Sequence, residues 1–225
     1  MENKVFLKLI TIVFILITSM SLPVDRASAD WLIFHKPPYK GKVMDAEENE
    51  PIEGVVVVAT YYTESIIGTP AGGYSTVVKM KETSTNHQGE FYFPSYTTMT
   101  GLNSKESFTE FIIYKPGYGS HPYSRLISPP PGMGLANKEM FFTAENFGQK
   151  KKVRLLSSRI GRPDIIVEVT CGLVELPRMK TRNERLRAIP PRPHDYGPEE
   201  LPLLYNAINE EHNNFGLKPV GRPPK

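Results

Sequence analysis

His87-Gln88-Gly89-Glu90 sets an imidazole and a carboxylate at the His-x-x-Glu spacing of a zinc hydrolase, and His194 or His212 could bring a third ligand. A catalytic zinc needs its ligands on a preorganised scaffold, with an activated water and a general base beside them. Here the tetrapeptide overlaps the turn pattern Asn86-x-x-Gly89, and the chain lacks the alternating strand and helix patterns of such a catalytic domain. The histidine therefore reads as a surface residue. His194, Asp195, Glu199 and Glu200 could gather oxygen and nitrogen ligands, but their spacing matches no defined metal loop. The two glutamates are explained more simply as charges at a helix start.

Nucleophilic chemistry finds no better footing. Ser120-His121 follows Gly119, yet no strand-turn-helix elbow surrounds it. Cys171, the only cysteine, has no histidine near it in sequence, cannot form an intrachain disulfide, and reads as a buried inert thiol. Tyr92, Tyr96, Tyr114, Tyr118 and Tyr123 could stack on sugars or a peptide, although strand alternation turns about half of them toward a core. No residue is assigned a catalytic, cofactor-binding or metal role, and no cofactor is expected.

The elements that would position these residues are short. Among 225 residues, 21 prolines and 17 glycines break up the chain, and 11 tyrosines with 11 phenylalanines favour strands over long helices. Residues 1–29 read as an export signal: Lys4 and Lys8 precede an apolar run from Leu9 to Leu22, and Ala27-Ser28-Ala29 offers the small side chains of a cleavage site. The mature chain would begin at Asp30. An uncleaved membrane anchor is the competing reading, but the run falls short of the roughly 20 apolar residues a spanning helix needs. The signal contributes +1 to the formal charge of +3, leaving +2 on the mature chain. That balance is too even to imply a nucleic-acid partner, which would require a basic stripe.

After a lead-in over Asp30 to Pro38, strands are expected over Tyr39–Met44, Val55–Tyr62, Ser75–Thr85, Phe91–Phe93 and Phe108–Tyr114. The run Val55 to Tyr62 is apolar on both faces, as in the central strand of a packed sandwich. Loops are expected over Ile66–Tyr74, Ser95–Ser107 and Ser128–Gly134. Gly89 marks a reversal in which the Asn86 side chain can bond the turn backbone.

The order Gly41-x-Val43-x-Asp45, Pro51-Ile52-x-Gly54-Val55-x-Val57, Thr85-Asn86-x-x-Gly89-x-Phe91, then a strand ending in Pro116-Gly117-Tyr118, resembles the carboxypeptidase regulatory-like family. The resemblance covers Lys40 to Tyr118, with Asn86 where that family commonly has an aspartate and a longer loop at Ile66 to Tyr74. It implies a transthyretin-like antiparallel β-sandwich: a noncatalytic module of exported proteins used for packing, adhesion or ligand contact. Purine-pathway hydrolases of transthyretin-like fold are marked by a Tyr-Arg-Gly-Ser C-terminus; this chain ends Gly221-Arg222-Pro223-Pro224-Lys225.

Past the sandwich, Glu139–Phe142 and Lys152–Leu156 could form short strands or a helical turn, and Ile165–Thr170 an edge strand. Arg178–Arg187 could form a short exposed helix. Pro190-Pro191-Arg192-Pro193 reads as an extended linker. Pro198–Asn214 reads as an amphipathic helix, with Leu201, Leu204, Tyr205 and Ile208 on one face. The expected organisation is a signal over 1–29, the sandwich over 30–126, an irregular extension with edge strands over 127–177, and a basic, Pro-rich tail over 178–225 whose helix spans about 198–214. The expected fold class is mainly β, with a signal helix before the sandwich and the amphipathic helix after it. The expected function is an exported, noncatalytic interaction or structural module of the cell envelope, periplasmic or secreted, with an unidentified protein or envelope partner. The alternatives are a glycan- or peptide-binding module using exposed aromatics, and a zinc-dependent hydrolase using His87 and Glu90. Membrane contact is expected only if the N-terminal segment stays uncleaved.

Overall fold

Val56-Val57-Val58-Ala59-Thr60-Tyr61 has no polar face, and in the computed structural model all six are buried in the centre of a sheet. The structure describes residues 33–66, 74–101, 103–122, 139–155 and 165–221. The expected signal, the loop over Ser128–Gly134, most of the Ile66–Tyr74 loop and Tyr123 lie outside the described residues.

The strands are β1 (Ile33–Lys36), β2 (Tyr39–Asp45), β3 (Val56–Ser65), β4 (Ser75–Ser84), β5 (Glu90–Phe93), β6 (Tyr96–Met99), β7 (Ser104–Tyr114), β8 (Lys150–Leu155), β9 (Ile165–Thr170) and β10 (Leu173–Leu176). Two helices follow, α1 (Arg182–Ala188) and α2 (Pro202–Asn214). One three-stranded sheet has the order β4-β3-β7 and is antiparallel throughout. A second has the order β10-β2-β5. β1 pairs with β6, and β8 with β9, as two-stranded antiparallel ribbons. The fold is mainly β, with several antiparallel sheets.

Strand alternation sorts the side chains of β3 onto two faces. Val57, Ala59 and Tyr61, with Phe111 and Ile113 of β7, share one apolar core with Tyr39, Val43, Phe91, Phe93, Val174 and Leu176 of the second sheet. Val56 and Val58, with Met80 of β4 and Ile112 and Tyr114 of β7, face the other way and meet Leu201, Leu204, Tyr205 and Ile208. The predicted stripe thus covers the outer face of the β4-β3-β7 sheet. Each fully buried Leu or Ile contributes about 1.5–3 kcal/mol, so the tail helix is part of the folded unit.

Several expectations change. The pairing is not wholly antiparallel, because β10 runs parallel to β2, with Val174 opposite Val43. The Asp30–Pro38 lead-in contains β1, whose partner β6 lies within the stretch expected as the Ser95–Ser107 loop. Tyr96 and Thr98 turn inward while Thr97 and Met99 face solvent, an alternation too brief to stand out beside Pro94 and Gly101. β7 starts at Ser104 rather than Phe108, because the polar residues Ser104, Lys105 and Glu106 pair with the polar end of β3. Of the two forms expected for Glu139–Phe142, a short strand or a helical turn, it takes the turn, with Phe142 N donating to the Glu139 carbonyl at 3.0 Å. α2 starts at Pro202, since Gly197 to Leu201 forms a separate turn closed by Gly197 N donating to Glu200 Oε2 at 2.7 Å. α1 begins after Thr181, whose side chain and that of Glu184 form a reciprocal capping box.

Candidate functional site

Asp45 ends β2 in a turn and is only 2% exposed. Its Oδ1 accepts from the amides of Glu47 and Glu48 at 2.8 and 3.1 Å, and its Oδ2 accepts from Arg178 Nε at 2.6 Å. Tyr118 O–H also donates to Oδ2, at 3.3 Å. Burial alone would raise the carboxyl pKa, but the two amides and the guanidinium outweigh it and hold the group below its ordinary value. The aspartate of the Gly41-x-Val43-x-Asp45 motif therefore ties β2 to the strand exit at Arg178.

Asn86 and Gly89 perform the matching task in the Thr85-Asn86-x-x-Gly89-x-Phe91 motif. Asn86 Oδ1 accepts from Gln88 N at 3.0 Å and Glu90 N at 2.9 Å, closing the reversal. Gly89 has φ +73°, and a Cβ there would collide with the Val43 carbonyl oxygen. Its own carbonyl accepts from Val43 N at 2.8 Å, so this turn packs directly against β2.

The densest polar cluster is built around Lys36, which is 2% exposed. Its ammonium reaches Glu139 Oε1 and Oε2 at 2.8 and 2.9 Å, Glu106 Oε1 at 3.1 Å and the Ser107 carbonyl. Tyr39 O–H donates to Glu139 Oε1, and Thr109 N donates to Oε2 at 2.9 Å. An ammonium has three N–H donors, and each finds an acceptor here. Burial and the Glu139 charge push the Tyr39 phenol far above its usual range, so it stays protonated, gives its one proton to Glu139 and accepts from the Thr109 hydroxyl at 3.0 Å. With its donors saturated, the amine is a clasp joining β1, β2, β7 and residue 139. It is not poised as a nucleophile. Sequence offered one signal for it: Phe34 and Lys36 are two apart on a strand and so share the inward face.

The residues singled out for chemistry are not brought together. His87 is exposed on its turn, and Glu90 pairs with Lys40 at 3.3 Å. His194, Asp195 and Glu199 are exposed, and Glu200 is bonded to Gly197. No group of three or more His, Cys, Asp or Glu side chains among the described residues could hold a metal ion. Ser120 and His121 are buried, with His121 bridged to Ile113 through its backbone and its ring against Phe142. Cys171 is fully buried, and burial raises its thiol pKa. Tyr114 is buried under α2, Tyr118 is bonded to Asp45, Tyr96 is half-buried and Tyr92 is exposed on a different strand. These tyrosines do not make one platform.

A small cleft of about 110 Å³ opens on the outer face of the β4-β3-β7 sheet, lined by Thr60, Tyr62, Glu110, Ile112 and the Pro191-Arg192-Pro193 linker. Tyr62 O–H donates to Glu110 Oε2 at 3.2 Å, so its polar wall is internally bonded. No helix among the described residues is long and apolar enough to cross a membrane. No protein-family model, curated protein or solved structure matches this chain.

Proposed function

We propose that the chain is an exported, noncatalytic module of the carboxypeptidase regulatory-like type, with a transthyretin-like sandwich, acting as an interaction or structural protein of the cell envelope. One observation carries this reading: Asp45, Asn86 and Gly89, the polar and glycine positions of its signatures, are all engaged in turn geometry. A scaffold whose distinctive residues build turns acts through the surface it presents. The basic start, apolar run and Ala27-Ser28-Ala29 of the N-terminus support export.

The test is fractionation of bacteria expressing the full chain with a C-terminal tag, followed by intact mass measurement. The expected result is a periplasmic or secreted product beginning at Asp30. A full-length product confined to the cytoplasm overturns the export reading, and a product held in the membrane with residues 1–29 intact replaces it with the anchored form.

A further inference from the structure

β4 is the edge strand of its sheet, and Lys79 and Lys81 lie on the same face of it as the core residues of β3, opposite Tyr61 and Ala59 respectively. At this margin the apolar core gives way to aromatic rings and amines. Lys81 is half-buried, with Nζ 4.2 Å from the centroid of the Tyr96 ring and 5.8 Å from that of Tyr61. The two rings are themselves 5.0 Å apart.

The site lacks a counter-charge: among the described residues neither Lys79 nor Lys81 has a carboxylate partner, and no acid contributes to the electrostatics of Lys81. Burial, and then the charge of Lys79, lower the pKa of Lys81, as expected for two cations that no acid neutralises. The ring faces offset part of this cost. The Tyr61 hydroxyl in the same aromatic group is buried and has no hydrogen-bond partner among the described residues.

Residues two apart on one strand face stand roughly 7 Å apart, a gap that two flexible ammonium heads can close around a shared anion. A tetrahedral oxyanion offers acceptors to both at once and supplies the missing charge. We propose that Lys79 and Lys81, the latter seated on the Tyr96 ring, form a binding site for a phosphate- or sulfate-type oxyanion. The site holds whether or not the chain is exported, so failure of the fractionation test leaves it standing.

The experiment titrates the full chain with inorganic phosphate and with glycerol 3-phosphate, at constant ionic strength against chloride, reading calorimetric binding and the melting temperature. Saturable binding that raises the melting temperature is expected, weakened about tenfold in Lys81→Gln and in Lys79→Gln. Lys79 is exposed, so its variant keeps the test valid should Lys81→Gln fold poorly. Equal binding of glycerol 3-phosphate assigns the site to a phosphoryl group on a larger molecule; binding of phosphate alone assigns it to the free ion. No response beyond chloride, or an unchanged response in Lys79→Gln, overturns the proposal.

Discussion

The Glu82 carboxylate on β4 caps the helix that ends at Asn214: its Oε1 accepts from Leu203 N at 2.8 Å and its Oε2 from Leu204 N at 3.0 Å. Leu201, at the N-cap position of α2, has no side chain that could do this, and Pro202 has no amide to satisfy. A residue 121 positions earlier therefore completes the helix, and its negative charge sits at the positive end of the helix dipole. Glu82→Ala is expected to cost about 1 kcal/mol and to speed amide exchange across the first turn of α2. Unchanged exchange at Leu203 and Leu204 in that variant would show that the cap carries no weight.

The stripe beneath that cap predicts a larger effect. Leu204 and Ile208 are fully enclosed between α2 and the outer sheet face. Leu204→Ala should lower stability by about 2–5 kcal/mol in urea denaturation, whereas Leu203→Ala, at a position 38% exposed, should cost well under 1 kcal/mol. Equal losses at the two positions would mean that α2 is not docked on this face.

Gly54 and Gly89 separate conformational strain from steric exclusion. Both have positive φ, but a Cβ on Gly54 meets nothing within 4 Å, while one on Gly89 meets the Val43 carbonyl and the Pro51 side chain. The Val43 carbonyl also accepts from Ile52 N at 3.0 Å, so it cannot swing aside freely. Gly54→Ala is expected to cost about 1 kcal/mol and Gly89→Ala at least twice that, measured by chemical denaturation. Matching values would remove the close approach from the account of the turn at Asn86 and Gly89.

These contrasts also mark what sequence can and cannot reveal. The turn at Asn86 and Gly89, the all-apolar β3 and the stripe of α2 are legible because each is a local pattern with a local physical cause. The cap by Glu82, the clasp of Lys36 and Glu139 and the parallel pairing of β10 join residues far apart in the chain. Glu82 reads as one more polar residue in a half-exposed strand until the helix it faces is in place. Lys36 lies in the stretch expected as a lead-in to Pro37-Pro38, and only the path of the chain brings Glu139 to it. Nor could the spacing of His87 and Glu90 reveal that strand β5 would give Glu90 to Lys40.

Asp45 predicts an acid-labile joint. Its folded-state pKa lies below its unfolded value, so the stabilisation is fully present above the ordinary carboxyl range, near pH 4, and is lost as pH falls through the lowered folded value. Asp45→Asn should leave stability less dependent on pH over that acid interval, and Arg178→Gln should shift the acid transition of the wild-type chain upward. Thermal melts from pH 6 down to pH 2 provide the measurement. Parallel curves for wild type and Asp45→Asn would exclude this residue as the source.

The Lys36 clasp predicts strong coupling between its two ends. Lys36→Met leaves Glu139 with the Tyr39 hydroxyl and the Thr109 amide but removes the cation that balances its charge in a largely enclosed site. An uncompensated charge of this kind costs about 3 kcal/mol or more, whereas removing both charges together is often close to neutral. The double variant Lys36→Met/Glu139→Gln keeps an oxygen acceptor for Tyr39 or Thr109 and removes the uncompensated Glu139 charge, leaving only the more exposed Glu106 without its partner. It should therefore be more stable than Lys36→Met alone, although it carries one more substitution. A double-mutant cycle in urea is expected to give a coupling of about 2 kcal/mol. Simple additivity of the two single losses would mean that the ammonium and carboxylate stabilise the fold independently, and that the joint between β1 and residue 139 rests on packing of the Phe34, Tyr39 and Tyr61 rings instead.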